Sequence, residues 1–557
     1  MDNRKIIVHC PLSIVHRPLS IVHYLNFQSM KFSKINILAV LFFFLVLSSC
    51  SKYEDLQLNP NVASDNKAIP PSLLLGKITY DIYRGGDVYE GPWDQLSRWN
   101  QYIVSNDVYY GGPNFYNWST TGTEYNILKN VIKMEQQANT TLNTKTNAYS
   151  ALGKFFRAYL SIWLSQRVGD IPMSQAGAGL ENLTPSYDTQ KQVYILSLQL
   201  LEDANTDLTA LIPLNSSASV IDGDIFFGND LKKWQKLINT YKLRVLLSLS
   251  KRADDNADMN IKQKFADVVS NPIKYPIMAA NSDNMNFVFN AAYNPYPHTP
   301  KDAYNRAQNI GSTYLKLTTV AQDPRTFIVA TPADSLLKGK KVSDFGAYAG
   351  ADISTGLSDI ATNNARGLYS FTNYNRYYGS LTGPEPYTIV GYSEMCFNIA
   401  EAANRGWVTT AKATDWYTKG INASLAFYNL TDGQTLTVAD LAGKTLGTTV
   451  VDIKTFLSNT EVVYKGDNMD GLKQILNQKY VAMFQNSGWE AFYNQRRTGY
   501  PATFITTGTG VNGAGKIPRR WQYPSDESNY NTANYQTAVQ SQFGGVDDIY
   551  KDLWIIK

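Results

Sequence analysis

The chain has 557 residues, with 51 Lys and Arg, 47 Asp and Glu, four His and three Cys. Residues 1–49 hold five of those basic residues and one acid, so the remainder carries 46 of each sign and lacks the basic footprint that nucleic-acid binding requires. Beyond Cys50 only Cys396 and His298 remain of their kinds, which excludes an internal disulfide and a histidine-rich zinc site and leaves any Ser-His-Asp triad to one residue in a Pro-rich loop.

Residues 1–29 carry a tandem repeat, Pro11–His16 and Pro18–His23, and read as a start-site misassignment with Met30 as the true start. From Met30, Lys31 and Lys34 precede the apolar stretch Ile35–Leu47. That stretch is shorter than the about 20 residues that a membrane-spanning helix needs. It has the proportions of a secretory signal, so 30–49 is read as a signal peptide. Leu47-Ser48-Ser49-Cys50 is similar to the lipobox of bacterial lipoproteins, which implies cleavage before Cys50, lipid on its thiol and a tether over 50–66.

Residues 67–557 read as one domain. Up to residue 122 the chain is mostly loop and short helix, rich in Trp and Tyr. Apolar spacing then predicts helices over Tyr125–Thr141 and Ala148–Val168, the second with Leu152, Phe155, Phe156, Tyr159, Leu160 and Trp163 on one face. Gly169 and Pro172 close it. A second pair spans Thr189–Ile212 and Asp230–Arg252. Residues 270–390 are irregular, and so long a stretch inside a compact protein usually carries function. Helices resume at Tyr392–Arg405, Lys412–Tyr428 and Gly471–Asn486, and 488–557 returns to loop. Helix pairs thus occupy about 124–252 and 392–487. The fold class is all-α dominated: a tetratricopeptide-like repeat scaffold or an irregular helical bundle, the pattern leaning to the repeat.

Several motifs fail on context. Gly508–Gly513 spells a dinucleotide fingerprint and Gly510–Lys516 nearly a P-loop, but Pro518 follows and no amphipathic helix begins there to hold phosphate. Asp222-Gly223-Asp224 and Asp467–Gly471 read as turns rather than calcium loops. Cys396 lies in an apolar helix and reads as a core residue. Glu394 and Glu401 share a helical face without a partner acid, although hydrolysis by paired carboxylates elsewhere stays open.

With the helices placed, segments such as FFRAYLSIWLSQRVGDIPMSQA (155–176), DIFFGNDLKKWQKLINTYKLRVLLSLSKR (224–252), DPR (323–325), YSEMCFNIAEAANRGW (392–407), QKYVAMFQNSGWEAFYNQRRTGYP (478–501) and IPRRWQYPSDESNYN (517–531) resemble one family in its own order. It is the SusD/RagB outer-membrane lipoproteins of Bacteroidetes, in the branch called SusD-like 2. The resemblance implies a SusD-like fold with four tetratricopeptide-like helix pairs and a loop-rich, irregular ligand-binding part. It implies no enzyme, cofactor or metal. It implies a lipid-anchored protein of the outer membrane, facing the cell exterior, that delivers an oligosaccharide, or a peptide as in the RagB branch, to a SusC-like TonB-dependent transporter. A surface hydrolase and a structural lid without a ligand are the rival classes.

Arg157, Asp170, Trp234, Arg244, Glu401, Arg496 and Arg497, within the matching segments, are expected to hold helices and loops together. Ligand contacts in such a family come from loops, and aromatic rings suit them, since their faces stack on the C–H faces of sugars. The expected ligand residues are Trp93, Trp99, Tyr109, Tyr110, Tyr116 and Trp118, with Tyr293 and Tyr296 and, on a third loop, Tyr374 and Tyr377.

Overall fold

Helices start and stop where side chains satisfy their free backbone groups. Asn147 accepts from the amide of Ser150 at 2.9 Å to open the helix Ala148–Val168, and Gly169, at φ 96°, closes it with its amide on Ser165 O at 2.9 Å. Thr189 and Asp230 cap the next two helices in the same way. The computed structural model describes residues 68–84, 95–108, 113–118, 120–121, 125–296 and 307–557. The signal stretch, Cys50 and the tether lie outside the described residues, as do Trp93, Tyr109, Tyr110 and His298.

The helices that build the scaffold are α1 (Pro71–Arg84), α2 (Tyr125–Leu142), α3 (Ala148–Val168), α4 (Gln190–Leu211), α5 (Leu231–Ser248), α6 (Ile261–Ser270), α7 (Tyr392–Asn404), α8 (Ala413–Phe427), α9 (Met469–Ala482) and α10 (Glu490–Thr498). They pack as four tetratricopeptide-like pairs, α1 on α2, α3 on α4, α5 on α6 and α7 on α8, with α9 laid against α7. The expected neighbours α2 with α3 and α4 with α5 are in contact as well, so the helices of the first half form a continuous stack, and α7 pairs with α8 as expected. The series begins with α1, which the aromatic-rich stretch had concealed. Helix α3 is buried all round except at Lys154 and Arg157, so it is the central helix of the first half. Among the described residues there are also three two-stranded sheets: β1 (Ile103–Ser105) with β3 (Gln308–Ile310), β2 (Met285–Phe287) with β4 (Tyr387–Val390), and the hairpin of β5 (Thr435–Ala439) and β6 (Thr445–Val450). Residues Ala68–Lys557 cluster as one compact unit.

The segment 488–557, expected as loop, contains α10 and the helices Ser525–Tyr530 and Thr532–Phe543. Helix α10 shows no clean apolar stripe because Asn494, Gln495, Arg496 and Arg497 are buried beside Ala491, Phe492 and Tyr493. Arg497 forks onto Glu401 at 2.6 and 2.8 Å, and Arg496 donates to the carbonyls of Arg519 and Gln166 at 2.8 and 2.9 Å. The other residues expected to brace the scaffold are also paired. Arg244 meets Glu394 at 2.7 and 2.5 Å, and Trp234 Nε1 donates to Asp224 at 2.9 Å. Asp170 accepts from the Gln190 amide at 2.8 Å, and Arg157 pairs with Glu135. Cys396 is buried, and burial pushes its thiol up to about 12. No helix begins at Gly508–Gly515, where a turn closes with Gly508 N on Gly515 O at 2.9 Å.

Lys479 on α9 sits inside this charged layer and donates to Asn494 Oδ1 at 2.7 Å. Burial disfavours its charged form and holds it down to about 8, against an ordinary value of 10.5. Between those values the unfolded chain binds more protons, so this residue's contribution to stability rises with pH from about 8 to about 10.5. Lys479→Met should flatten the urea-stability profile between pH 8 and pH 10 by roughly 2–3 kcal/mol. Above that window the buried tyrosines, Tyr102 and Tyr480 among them, act in the opposite sense because their phenols are pushed up.

Candidate functional site

Two of the three loop regions expected to bind ligand meet across the β2–β4 pair. Phe287 pairs with Tyr387 and Met285 with Val390, which lays 288–296 against 381–387. The amide of Tyr296 donates to Leu381 O at 2.6 Å. Gly383, at φ +65°, lies under the ring of Tyr296, and a Cβ there would stand 2.5 Å from Tyr296 Cδ2. Only glycine allows both that backbone and that approach.

The third side is the turn Gln485–Gly488 between α9 and α10, in which Gln485 and Ser487 take left-handed φ values of 59° and 61°. Non-glycine residues hold such values only when their surroundings over-determine them. Here they do. Asn486 accepts from Thr388 N at 2.9 Å, Ser487 N donates to Thr388 O at 2.8 Å, and Ser487 Oγ donates to Glu394 at 2.8 Å. Gly488 N donates to the Tyr387 hydroxyl at 3.0 Å, and Asn100 donates to Gly488 O at 2.9 Å. Ser97 donates to Gln485 Oε1, so the 95–118 region also reaches this turn.

These elements enclose a pocket of about 30 Å³ lined by Phe289, Tyr296, Tyr377, Glu385, Tyr428 and Gln485 among others. Its size admits one or two waters, or a single hydroxyl group, but not a sugar ring. The pocket is a small socket walled by these segments. Glu385 is its one acid among the described lining residues and is tied to Arg376. Burial pushes the Tyr377 phenol up to about 12, so the hydroxyl stays protonated and can donate. Among the described residues no three His, Cys, Asp or Glu side chains gather as a metal site.

The predicted ligand residues divide. Tyr296 and Tyr377 line the socket, both buried, with Tyr296 edge-on to Phe289 at 4.9 Å. Tyr293 is 89% exposed three residues before Tyr296. Tyr374 is buried against Tyr378. Trp99, Tyr116 and Trp118 require a correction: they are core. Trp118 stacks on Trp521 at 3.8 Å and 11°, Trp99 lies 5.6 Å from Trp489, and the Tyr116 hydroxyl donates to Trp99 O at 2.8 Å. Arg167 caps the group, 3.5 Å above Trp163 and 4.9 Å from Trp521. Buried in this way, these rings offer no open face to a sugar. Trp93, Tyr109 and Tyr110 lie outside the described residues. Sequence reasoning missed Phe289, Tyr387, Gln485 and Asn486. The run Gln485-Asn486-Ser487-Gly488 was a legible turn signal, overridden by extending the preceding helix through it.

The model of the SusD-like_2 family, described as starch-binding and associating with the outer membrane, matches residues 62–524. The chain belongs to this family. A solved SusD homologue from Bacteroides fragilis superposes with a TM-score of 0.76 at 29% identity, covering 88% of this chain and 100% of that one. An outer-membrane protein of Bacteroides vulgatus, described as involved in nutrient binding, follows with 0.72 at 28%, covering 88% and 100%. A chitin-binding SusD homologue from Flavobacterium johnsoniae shares the fold alone, with 0.65 at 19%, covering 87% and 98%. No curated protein matches the chain in sequence. The SusD-like fold accounts for the helix pairs and for the irregular middle that supplies the socket. The family is associated with the outer membrane, and among the described residues no helix is long and apolar enough to cross one.

Proposed function

We propose that this SusD-like protein is a non-catalytic, lipid-anchored binding protein on the outer face of the outer membrane. It captures an oligosaccharide and hands it to a SusC-like TonB-dependent transporter. The observation that carries the reading is the socket, a strained and heavily braced turn ringed by aromatic side chains in a chain of a starch-binding family. Its hydroxyl-sized depth suits one anchoring group of a ligand whose rings lie outside it. Tyr293 offers an exposed ring three residues from Tyr296, and Trp93, Tyr109 and Tyr110 remain proposed ligand residues from the sequence. The family's starch-binding description favours saccharide over peptide.

Titration calorimetry of the lipid-free protein with chitohexaose, maltoheptaose and a tryptic peptide mixture tests this. Heat with a saccharide is expected. Binding of peptide alone would move the protein to the RagB side, and release of new reducing ends on long incubation would replace binding by hydrolysis. The anchor is tested separately. Cys50→Ala should shift the protein from the membrane to the soluble fraction with its saccharide affinity intact, since one residue then loses acyl chains that each contribute about 0.8 kcal/mol per buried CH₂. Retention in the membrane fraction would refute the anchor.

A further inference from the structure

A second cavity lies away from the socket, between the segment Gln322–Phe345 and the β5–β6 hairpin with the helix Ile453–Ser458 that follows it. It measures about 660 Å³, within the roughly 300–1,000 Å³ of small-ligand sites. We propose that this cleft is a second saccharide subsite for an uncharged oligosaccharide, which rests on the reading that the protein binds glycans.

The lining carries the chemistry. Phe345 is partly buried and packs on Phe327 with ring centroids 4.7 Å apart, so one ring is braced from behind while it borders the cleft. Around it stand Gln322, Lys341, Asp344, Thr448 and Asp452, all exposed. One lysine set against two aspartates makes no positive field for an anionic ligand. An aromatic face with hydroxyl, amide and carboxylate groups around it is what a neutral polyhydroxylated chain needs.

The walls are preformed. Gln322 is held at a left-handed φ of 54°, followed by the fully buried Asp323–Arg325 ion pair. Asp452 is fixed by its bonds to Thr455 N and Oγ1 at 2.8 and 2.7 Å, and Asp344 by Gly346 N at 2.8 Å. Gly447 lets β6 close on Val342, since a Cβ there would meet Val342 Cγ2 at 3.0 Å. The hairpin is also tied to the helix Tyr374–Tyr377, whose last ring lines the socket: Asn375 donates to Asp440 O at 2.7 Å. Rigid walls spare a ligand the cost of ordering them.

The test uses the lipid-free protein, titrated with chitohexaose and maltoheptaose, with Phe345→Ala to remove the ring and Thr448→Arg to block the cleft from an exposed position. Both variants should bind the saccharide that the wild type binds roughly three- to tenfold more weakly, the range of one aromatic contact, with unchanged melting temperature for Thr448→Arg. Tyr293→Ala serves as the control beside the socket. If the wild type binds a saccharide and both cleft variants match it, the subsite is overturned and the proposed function stands. If the wild type binds neither saccharide, or only peptide, both fall together.

Discussion

Trp118→Ala is expected to lower stability by about 3–5 kcal/mol, read as a fall in the urea midpoint with unchanged slope. The affinity of the folded fraction for its saccharide should stay within about twofold. The ring is 6% exposed, stacked on Trp521 and edge-on to Phe492 at 4.8 Å and to Trp489 at 5.8 Å. It therefore joins the segment 113–118 to α10 and to the C-terminal strip around residue 521, three stretches far apart in sequence. Removing it leaves a cavity whose walls cannot collapse, because Arg167 and two other indoles hold their places through one another. Trp118→Phe should recover more than half of the loss. A loss of saccharide affinity with stability intact would instead return Trp118 to the ligand surface and overturn its placement in the core.

That residue also shows where reading the sequence stopped. The helices were legible because burial on one face writes a 3.6-residue period, as in α3, whose bounds agree with expectation from Ala148 to Val168. Helix α10 was not, because Asn494, Gln495, Arg496 and Arg497 are buried along with Ala491, Phe492 and Tyr493, and a period in hydropathy cannot register polar and charged residues that are buried. Helix α1 was concealed for a different reason. It lies in a stretch whose aromatic content suggested a surface, whereas among its described side chains only the stripe Leu73, Lys77 and Tyr80 is exposed. Aromatic density marked the right neighbourhood for the socket through Tyr296 and Tyr377. It could not separate a ring with an open face from one stacked on Trp521, since that depends on residues about 400 positions away. The strain at Gln485 and Ser487 is likewise a property of the bonds to Thr388, Glu394 and Tyr387, none of them local.

Arg325→Met should cost about 3–5 kcal/mol, the loss expected when one partner of a fully buried ion pair is removed and the other is stranded. Both side chains are 0% exposed. All three guanidinium nitrogens are bonded: they meet Asp323 at 2.9 and 2.5 Å, Ser424 Oγ on α8 at 2.8 Å and Gln478 Oε1 on α9 at 2.6 Å. One side chain thus ties the irregular middle to the last helix pair and sets the wall of the cleft at Gln322–Pro324. Two contributions are mixed in the single variant, the stranded carboxylate and the lost bonds to α8 and α9, and a double-mutant cycle separates them. Asp323→Asn keeps the acceptor for the amide of Arg325, 3.0 Å away, while removing the charge. The double variant Asp323→Asn/Arg325→Met should therefore regain about 1–2 kcal/mol over Arg325→Met alone. If it regains nothing, the penalty lies in the bonds to Ser424 and Gln478, and the ion pair serves as a positional clamp. In that case Ser424→Ala and Gln478→Met together should reproduce most of the loss with Arg325 still in place.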